Sequence, residues 1–307
     1  MIASCYITFL SKNLLFNNNN NNKKISRFDV LAEPNQTDCQ KKILKLLESE
    51  KNCLISKTLN GSAFCVNVDG KELLFRGLKE RLKERLWPNT EENPLKRQRN
   101  DAKIRSSTKF YQNKKGMAIG CKTYGSSHGE LVHKELELFS SYLSKRKTAE
   151  QLQNSLQDPD PCTARIVNML EKEHFFPVAS EFMIWEKNWR VATAIDMIAY
   201  NYKQDKMVLL EFKTGYENEE YGPHHSDSVL PKPFSDLINC PQIRHQLQLF
   251  AMVQMLLHNY DIHADSYYII RACPKSNSTE KFGLCYWFQD TENQQNFNQM
   301  MLDGERL

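Results

Sequence analysis

Residues Arg190–Thr214, RVATAIDMIAYNYKQDKMVLLEFKT, read as two β-strands joined by a short polar turn at Tyr202–Asp205. Side chains alternate along a strand. In the second strand Leu209, Glu211 and Lys213 therefore share one face, and Val208, Leu210 and Phe212 point the other way, into a core. In the first, Asp196 shares its face with Ala192, Ala194 and Ile198, while Val191, Ile195 and Met197 face away. A charge inside an apolar β-run needs a partner, because burying it alone is expensive. If the strands pair about the turn, Asp196 lies near Glu211. Two carboxylates that close repel unless one holds a proton or a cation lies between them. A hard divalent cation such as Mg²⁺ takes oxygen ligands of this kind. A lysine two residues beyond the glutamate reaches a phosphate oxygen or a water on the metal. Such a set is equipment for metal-assisted hydrolysis of a phosphodiester. Glu211-Phe212-Lys213 on its own reads as an edge-strand ion pair.

On the N-terminal side, Glu186-Lys187-Asn188 turns the chain into the aspartate strand from an earlier strand, Pro177–Trp185, with Glu181 in its middle. Ala164–Lys172 has a helical pattern. Before it, Gly125–Gly129 (GSSHG) punctuates the chain and a helix follows, its buried stripe set by Val132, Leu136, Phe139 and Leu143. His133 adjoins that stripe; taken alone it is a surface or hydrogen-bonded helix histidine, and His128 has no further support as a ligand.

On the C-terminal side, Gly215–Asn239 is a polar loop longer than ~15 residues, a length that usually marks function or disorder. It holds His224-His225, with no third ligand at a useful spacing, and Lys232-Pro233-Phe234, a candidate lip guiding a nucleic-acid strand over the site. Pro241 opens a strong helix, proline being tolerated in the first turn. Its stripe is Leu249, Phe250, Val253 and Leu257, and Gln246 lies on it. A buried-facing amide needs partners, which the DNA backbone or the water shell of a metal would supply. Ala264–Ala272 and Phe282–Phe288 read as closing strands, Thr291–Leu302 as a final helix.

The N-terminal third carries its own signals. Asp38–Glu50 is helical, with Asp38 as N-cap. Cys53–Lys57 and Ser62–Val68 flank Asn60-Gly61, a strong hairpin signal. Lys71–Phe75 adds a third strand and Gly77–Leu86 a short charged helix. This small α+β segment, residues 29–86, is either an accessory module or an elaboration of the main fold. Residues 87–115 form a basic linker; Lys96–Lys115 holds a run of lysines and arginines against one acid, Asp101. That run is a phosphate-binding segment, a nuclear-import signal or a solvated linker. Residues 1–28 contain no acid and mix apolar with hydroxyl side chains, as mitochondrial targeting peptides do, and Asn17–Asn22 is low complexity. A mitochondrial address follows as the expectation, with a nuclear one as the alternative.

Composition is that of an ordinary globular chain: 307 residues, 40% hydrophobic, 25% charged and net +4, a charge too small to define a partner. No apolar run reaches the ~18 residues of a membrane span. Nine cysteines without a C-x-x-C indicate a reduced protein. Cys240, Cys273 and Cys285 are too dispersed to hold an iron–sulfur cluster, and none is expected.

Gly129/His133, Glu181, Asp196, Glu211/Lys213 and Gln246/Phe250 stand in an order that resembles the RecB-like branch of the PD-(D/E)XK nuclease superfamily, across about half the chain. Phenylalanine replaces the tyrosine of the family's Q-x-x-x-Y motif, which removes a phenol hydroxyl. Lys213-Thr214, Lys232-Pro233-Phe234 and the glutamine helix look most like the mitochondrial genome maintenance exonuclease group. The resemblance implies a restriction-endonuclease-like α/β core over residues 116–307, with a mixed central β-sheet flanked by helices. It implies that His133, Asp196, Glu211 and the Phe212 carbonyl hold one or two Mg²⁺ or Mn²⁺ ions. Lys213, Gln246 and Glu181 complete the catalytic set, although Glu181 reads equally as an exposed strand charge. Lys232, Arg244, Lys114 and Lys115 are expected on the nucleic-acid backbone. The implied activity is hydrolysis of DNA, single-stranded or at free ends, alongside replication or repair proteins. Rival readings are an endonuclease and an inactive nuclease fold that only binds nucleic acid.

Overall fold

The computed structural model describes residues 36–49, 55–57, 63–86, 124–143, 159–214, 221–223, 228–274 and 278–302, with backbone alone for 124–127. In chain order the elements are α1 (Asp38–Leu47), β1 (Ile55–Lys57), β2 (Ala63–Val68), β3 (Lys71–Gly77), α2 (Leu78–Leu86), α3 (Tyr124–Leu143), α4 (Pro161–Lys172), β4 (Phe175–Glu186), β5 (Val191–Asn201), β6 (Lys206–Thr214), α5 (Pro241–Tyr260), β7 (Ser266–Ala272), β8 (Thr279–Phe282), a 3-10 turn (Tyr286–Gln289) and α6 (Thr291–Leu302). The fold is α/β, a mixed open sheet flanked by helices.

The aspartate strand β5 is the axis of the sheet. β4 runs antiparallel along its whole length, from Phe175↔Asn201 to Glu186↔Val191. A strand has two edges, so β3 and β6 must share the other one. β3 pairs in parallel at Val191 and Ala192. β6 pairs antiparallel from Asn201 back to Met197. Beyond Leu210, β6 leaves β5 and continues beside β7 in parallel, from Val208↔Ser266 to Thr214↔Ala272. The ladder is thus open along that edge of β5 from Thr193 to Asp196, between β3 and β6.

Met207 to Lys213 are all buried, so β6 is covered on both faces. The one-sided alternation expected from the sequence gives way for that reason: the two-residue period still sets direction, but neither face is broadly exposed. α5 is buried at every position from Gln246 to Leu256. It begins at Pro241 and stops at Asp261, which takes a left-handed φ of 54°.

The N-terminal segment elaborates the same sheet. β1, β2 and β3 form an antiparallel meander that joins β5 through β3. Ile43, Phe64, Val66, Phe75 and Leu82 belong to the same apolar cluster as the rest of the core. Thr37, not Asp38, is the N-cap of α1. Its hydroxyl accepts the Gln40 N–H at 3.1 Å while Gln40 Oε1 accepts the Thr37 N–H at 2.9 Å, a capping box that leaves Asp38 in the first turn. The Asn60-Gly61 turn lies outside the described residues, as do residues 1–28 and 87–115.

Two further expectations are corrected. GSSHG lies inside the first turns of α3, which begins at Tyr124. Phe282–Phe288 is not a strand: β8 ends at Phe282, and Trp287 and Phe288 are buried by the 3-10 turn instead. There they join Phe234, Phe250 and Phe297, with ring centroids 5.1 Å apart for Phe234–Trp287 and 5.0 Å for both Phe250–Phe288 and Phe250–Phe297. Phe234 is fully buried in this cluster and anchors the Lys-Pro-Phe segment, while Lys232 and Pro233 stay exposed. No helix among the described residues is long and apolar enough to cross a membrane.

Candidate metal centre

The opening in the ladder is where the acidic residues meet. The last β5–β6 pair is Met197↔Leu210. One step further, Asp196 Oδ2 accepts the Phe212 N–H at 2.7 Å. The carboxylate thus satisfies a backbone donor that would otherwise be buried without a partner. Glu211, 1% exposed, ion-pairs with Lys213 through Oε1 and accepts the Gln248 amide there at 2.7 Å. Its other oxygen, Oε2, is buried with no hydrogen-bond partner among the described residues. A buried carboxylate oxygen with free lone pairs fits a cation.

The two carboxylates titrate differently. Burial, and then the charge of Glu211, raise Asp196 to about 7. Burial pushes Glu211 up too, but Lys213, Lys79 and His133 outweigh it and hold it below the usual carboxylate range. The site thus keeps Glu211 ionised and makes Asp196 reluctant to ionise until a cation compensates.

Glu181 reaches the same point from β4. Its strand neighbours pair across to Met197 and Ile195, which places Glu181 opposite Asp196. Its φ is 49°, a left-handed conformation that a residue with a Cβ adopts at a cost. The turn re-aims the side chain: Oε1 lies 3.5 Å from His133 Nδ1. Strain of this kind persists only where the surroundings enforce it, and it clusters at functional sites.

His133 arrives on α3. Its Nδ1 is 3.6 Å from Asp196 Oδ1 and its Nε2 is 3.3 Å from the Phe212 carbonyl oxygen. α3 comes this close because residue 129 lacks a side chain; a Cβ there would meet Thr214 Oγ1 at 3.1 Å. Burial disfavours the charged imidazole, but Asp196, Glu181 and Glu211 overcome it and raise His133 to about 9. Donor atoms of His133, Glu181 and Asp196 lie within 4.8 Å of one another, close enough to share one ion. The cluster opens into a cavity of about 670 Å³, lined among others by Lys79, His133, Glu181, Phe212, Lys213 and Thr214.

Six of the residues expected at the site therefore converge: His133, Glu181, Asp196, Glu211, Phe212 and Lys213. Gln246 goes elsewhere. Its Oε1 accepts the Cys285 N–H at 3.1 Å and fixes the segment after β8, while Gln248 takes the place on Glu211. Since α5 is buried at consecutive positions, its apolar stripe could not tell these two glutamines apart. Lys232 is exposed and Arg244 donates to Asn239 Oδ1 at 2.8 Å; neither lines the cavity. Lys114, Lys115 and His224-His225 lie outside the described residues. Lys79, from the segment that the family resemblance did not cover, gave no sequence signal.

A second group joins α3 to α4. Asp160 Oδ1 accepts the Cys162 N–H at 2.8 Å as N-cap of α4, and its Oδ2 meets His128 Nε2 at 3.0 Å. Glu135 Oε2 accepts the Asp160 N–H at 3.0 Å. Donor atoms of His128, Asp160 and Cys162 also lie within 4.8 Å of one another. Asp160 caps α4 while held by His128 and Glu135, and this group is read as structural.

No family model matches the sequence, and no curated protein matches it. One solved structure, described as "Crystal structure of SSO0001", aligns with a TM-score of 0.26 at 9% identity, covering 70% of this chain and 89% of that one. A likeness at that level carries no argument, and the site's own geometry has to carry the functional reading.

Proposed function

We propose that this chain is a metal-dependent deoxyribonuclease, an exonuclease that hydrolyses the backbone of single-stranded DNA or of DNA ends in maintenance, repair or recombination. One observation carries the reading. His133 stands 3.6 Å from Asp196, and Asp196 is bonded to the backbone between Glu211 and Lys213. Four elements, α3, β4, β5 and β6, bring a histidine, three carboxylates and an amine to one opening in the sheet. An ion pair built for stability needs far less.

His133, Asp196, Glu211 and the Phe212 carbonyl would hold Mg²⁺ or Mn²⁺, and the free Glu211 Oε2 supports that fit. A divalent ion held there supplies a Lewis acid that acidifies a water and offsets charge on the phosphate. The residues around it have defined tasks. His133 works as neutral imidazole and Asp196 as carboxylate, since a ligand must present a lone pair. Glu181 fixes the imidazole's orientation through Nδ1. Gln248 and Lys213 hold Glu211 from one side, which leaves Oε2 for the cation. Lys213 is also the cation nearest to Glu211 that can turn to a phosphate oxygen.

End-labelled linear single-stranded, duplex and circular single-stranded DNA, each with Mg²⁺, Mn²⁺ and EDTA, test this. Linear substrates should shorten only with metal and circles should survive. If the wild-type chain cuts nothing, or if Asp196→Ala cuts as well, the reading is wrong.

A further inference from the structure

We propose that Lys79, carried in by α2 of the N-terminal segment, binds a phosphate of the single-stranded DNA substrate beside the acidic cluster. This rests on the nuclease reading and deepens it: the N-terminal segment then supplies part of the substrate site.

Topology puts Lys79 there. β3 ends at Gly77, paired in parallel with Ala192, and α2 starts at the next residue. Its first turn therefore stands where β5 has lost one neighbour and not yet gained the other. The helix is firmly seated. Leu78, Leu82 and Leu86 are each 1% exposed, and Arg81 donates to the Met301 carbonyl at 3.1 Å. Lys79 itself is exposed and lines the cavity with His133, Glu181 and Lys213. Its charge is felt at Glu211 and at His245.

Charge supplies the reason. The cavity wall also carries Glu130 and Glu137, with Asp196 and Glu211 close behind Phe212 and Lys213. A polyanion entering such a wall needs cations beyond the metal. Lys213 is held by Glu211, and Lys134 by Glu137 at 2.9 Å. Lys79 makes no ion pair among the described residues, so it meets a phosphate without first breaking one. An ordinary solvated lysine would sit clear of the cavity, as Lys83 does one turn later.

The test compares Lys79→Ala, Lys79→Arg and the control Lys83→Ala in the full chain. Binding of a labelled single-stranded oligonucleotide is followed by anisotropy in an Asp196→Asn background across a salt series. Cleavage kinetics are followed with Asp196 intact. Lys79→Ala should raise Kd and KM roughly fivefold or more and leave kcat within about twofold. It should also lower the slope of log K against log salt by ~0.7, the loss of one phosphate contact on a single strand. Lys79→Arg should restore most of the affinity, and Lys83→Ala should change nothing. Unaltered Kd, KM and salt slope in Lys79→Ala overturn the proposal. So does a fall in kcat at constant KM, or a lowered melting temperature that tracks the loss. If the chain binds DNA but never cleaves it, the nuclease reading falls while the salt series still decides Lys79.

Discussion

Gln248 donates its side-chain amide to Glu211 Oε1 at 2.7 Å, with both residues buried. Gln246, half a turn earlier on α5, turns away to Cys285. The two glutamines should therefore separate experimentally. Gln248→Ala leaves a buried carboxylate short of a donor, which costs about 1–3 kcal/mol. If Glu211 is a ligand as proposed, loosening its support also lowers metal affinity by ~10-fold or more. Gln246→Ala should lower stability alone. Denaturant unfolding and calorimetric Mn²⁺ titration check both. Equal loss of metal affinity in the two variants would refute this division of labour.

Asp196→Asn should stabilise the metal-free protein and abolish its response to metal. The folded-state pKa is raised from 3.8 to about 7, so stability falls as pH rises through that interval and the carboxylate is a liability at pH 8. Asparagine keeps an oxygen for the Phe212 N–H and removes the cost of burying the charge, and with it the repulsion from Glu211. The gain is on the order of 2 kcal/mol at pH 8. Melting curves with and without Mg²⁺ read this directly: wild type should rise with metal and the variant should not, while melting higher without it. A variant that melts lower at pH 8 would show that the buried carboxylate is not a liability there.

The hairpin around Tyr202–Asp205 was legible because its two strands are long, apolar and punctuated, and its charged residues break the pattern at fixed steps. Asp196, Glu211 and Lys213 could be placed from that stretch alone. His133 and Glu181 were legible only as members of an ordered set, since one histidine or glutamate carries no signal by itself. Gln248 was not legible, because a helix buried all round erases the stripe that marks a face. Lys79 was hidden for a different reason: a parallel pairing between residues 76–77 and 191–192 brings it in, and no local pattern encodes so distant a contact.

The left-handed φ of 49° at Glu181 gives a prediction in which stability and activity part company. Both Glu181→Ala and Glu181→Gly lose the carboxylate that orients His133, and each should bind Mn²⁺ ~10-fold more weakly. Alanine keeps the strain and glycine removes it, so the glycine variant should be more stable than the alanine variant by about 1 kcal/mol. Urea unfolding of the pair is sufficient. If alanine proves equal or better, the backbone there is not strained.

His128 and Asp160 provide a pH signature separate from the His133–Asp196 cluster. Hydrogen bonds to Asp160 and Cys162 raise His128 from 6.5 to about 9, and burial only partly opposes them. The folded state then holds the imidazolium proton more tightly than the unfolded chain does. Its stabilisation is fully present below pH 6.5 and is lost as pH climbs through about 9. Asp160 behaves in the opposite sense. Burial raises it, but its bond to His128 and the Cys162 N–H lower it overall, so its contribution is lost in acid. Wild-type stability should fall by on the order of 2–3 kcal/mol between pH 6.5 and 9 through this pair. His128→Gln should flatten that part of the profile and start from a lower value at pH 6.5. Asp196, raised to about 7, and His133, raised to about 9, change charge in the same interval. The comparison is therefore made in an Asp196→Asn/His133→Gln background, which removes these two groups. A profile that keeps its full slope after His128→Gln would place the titration elsewhere.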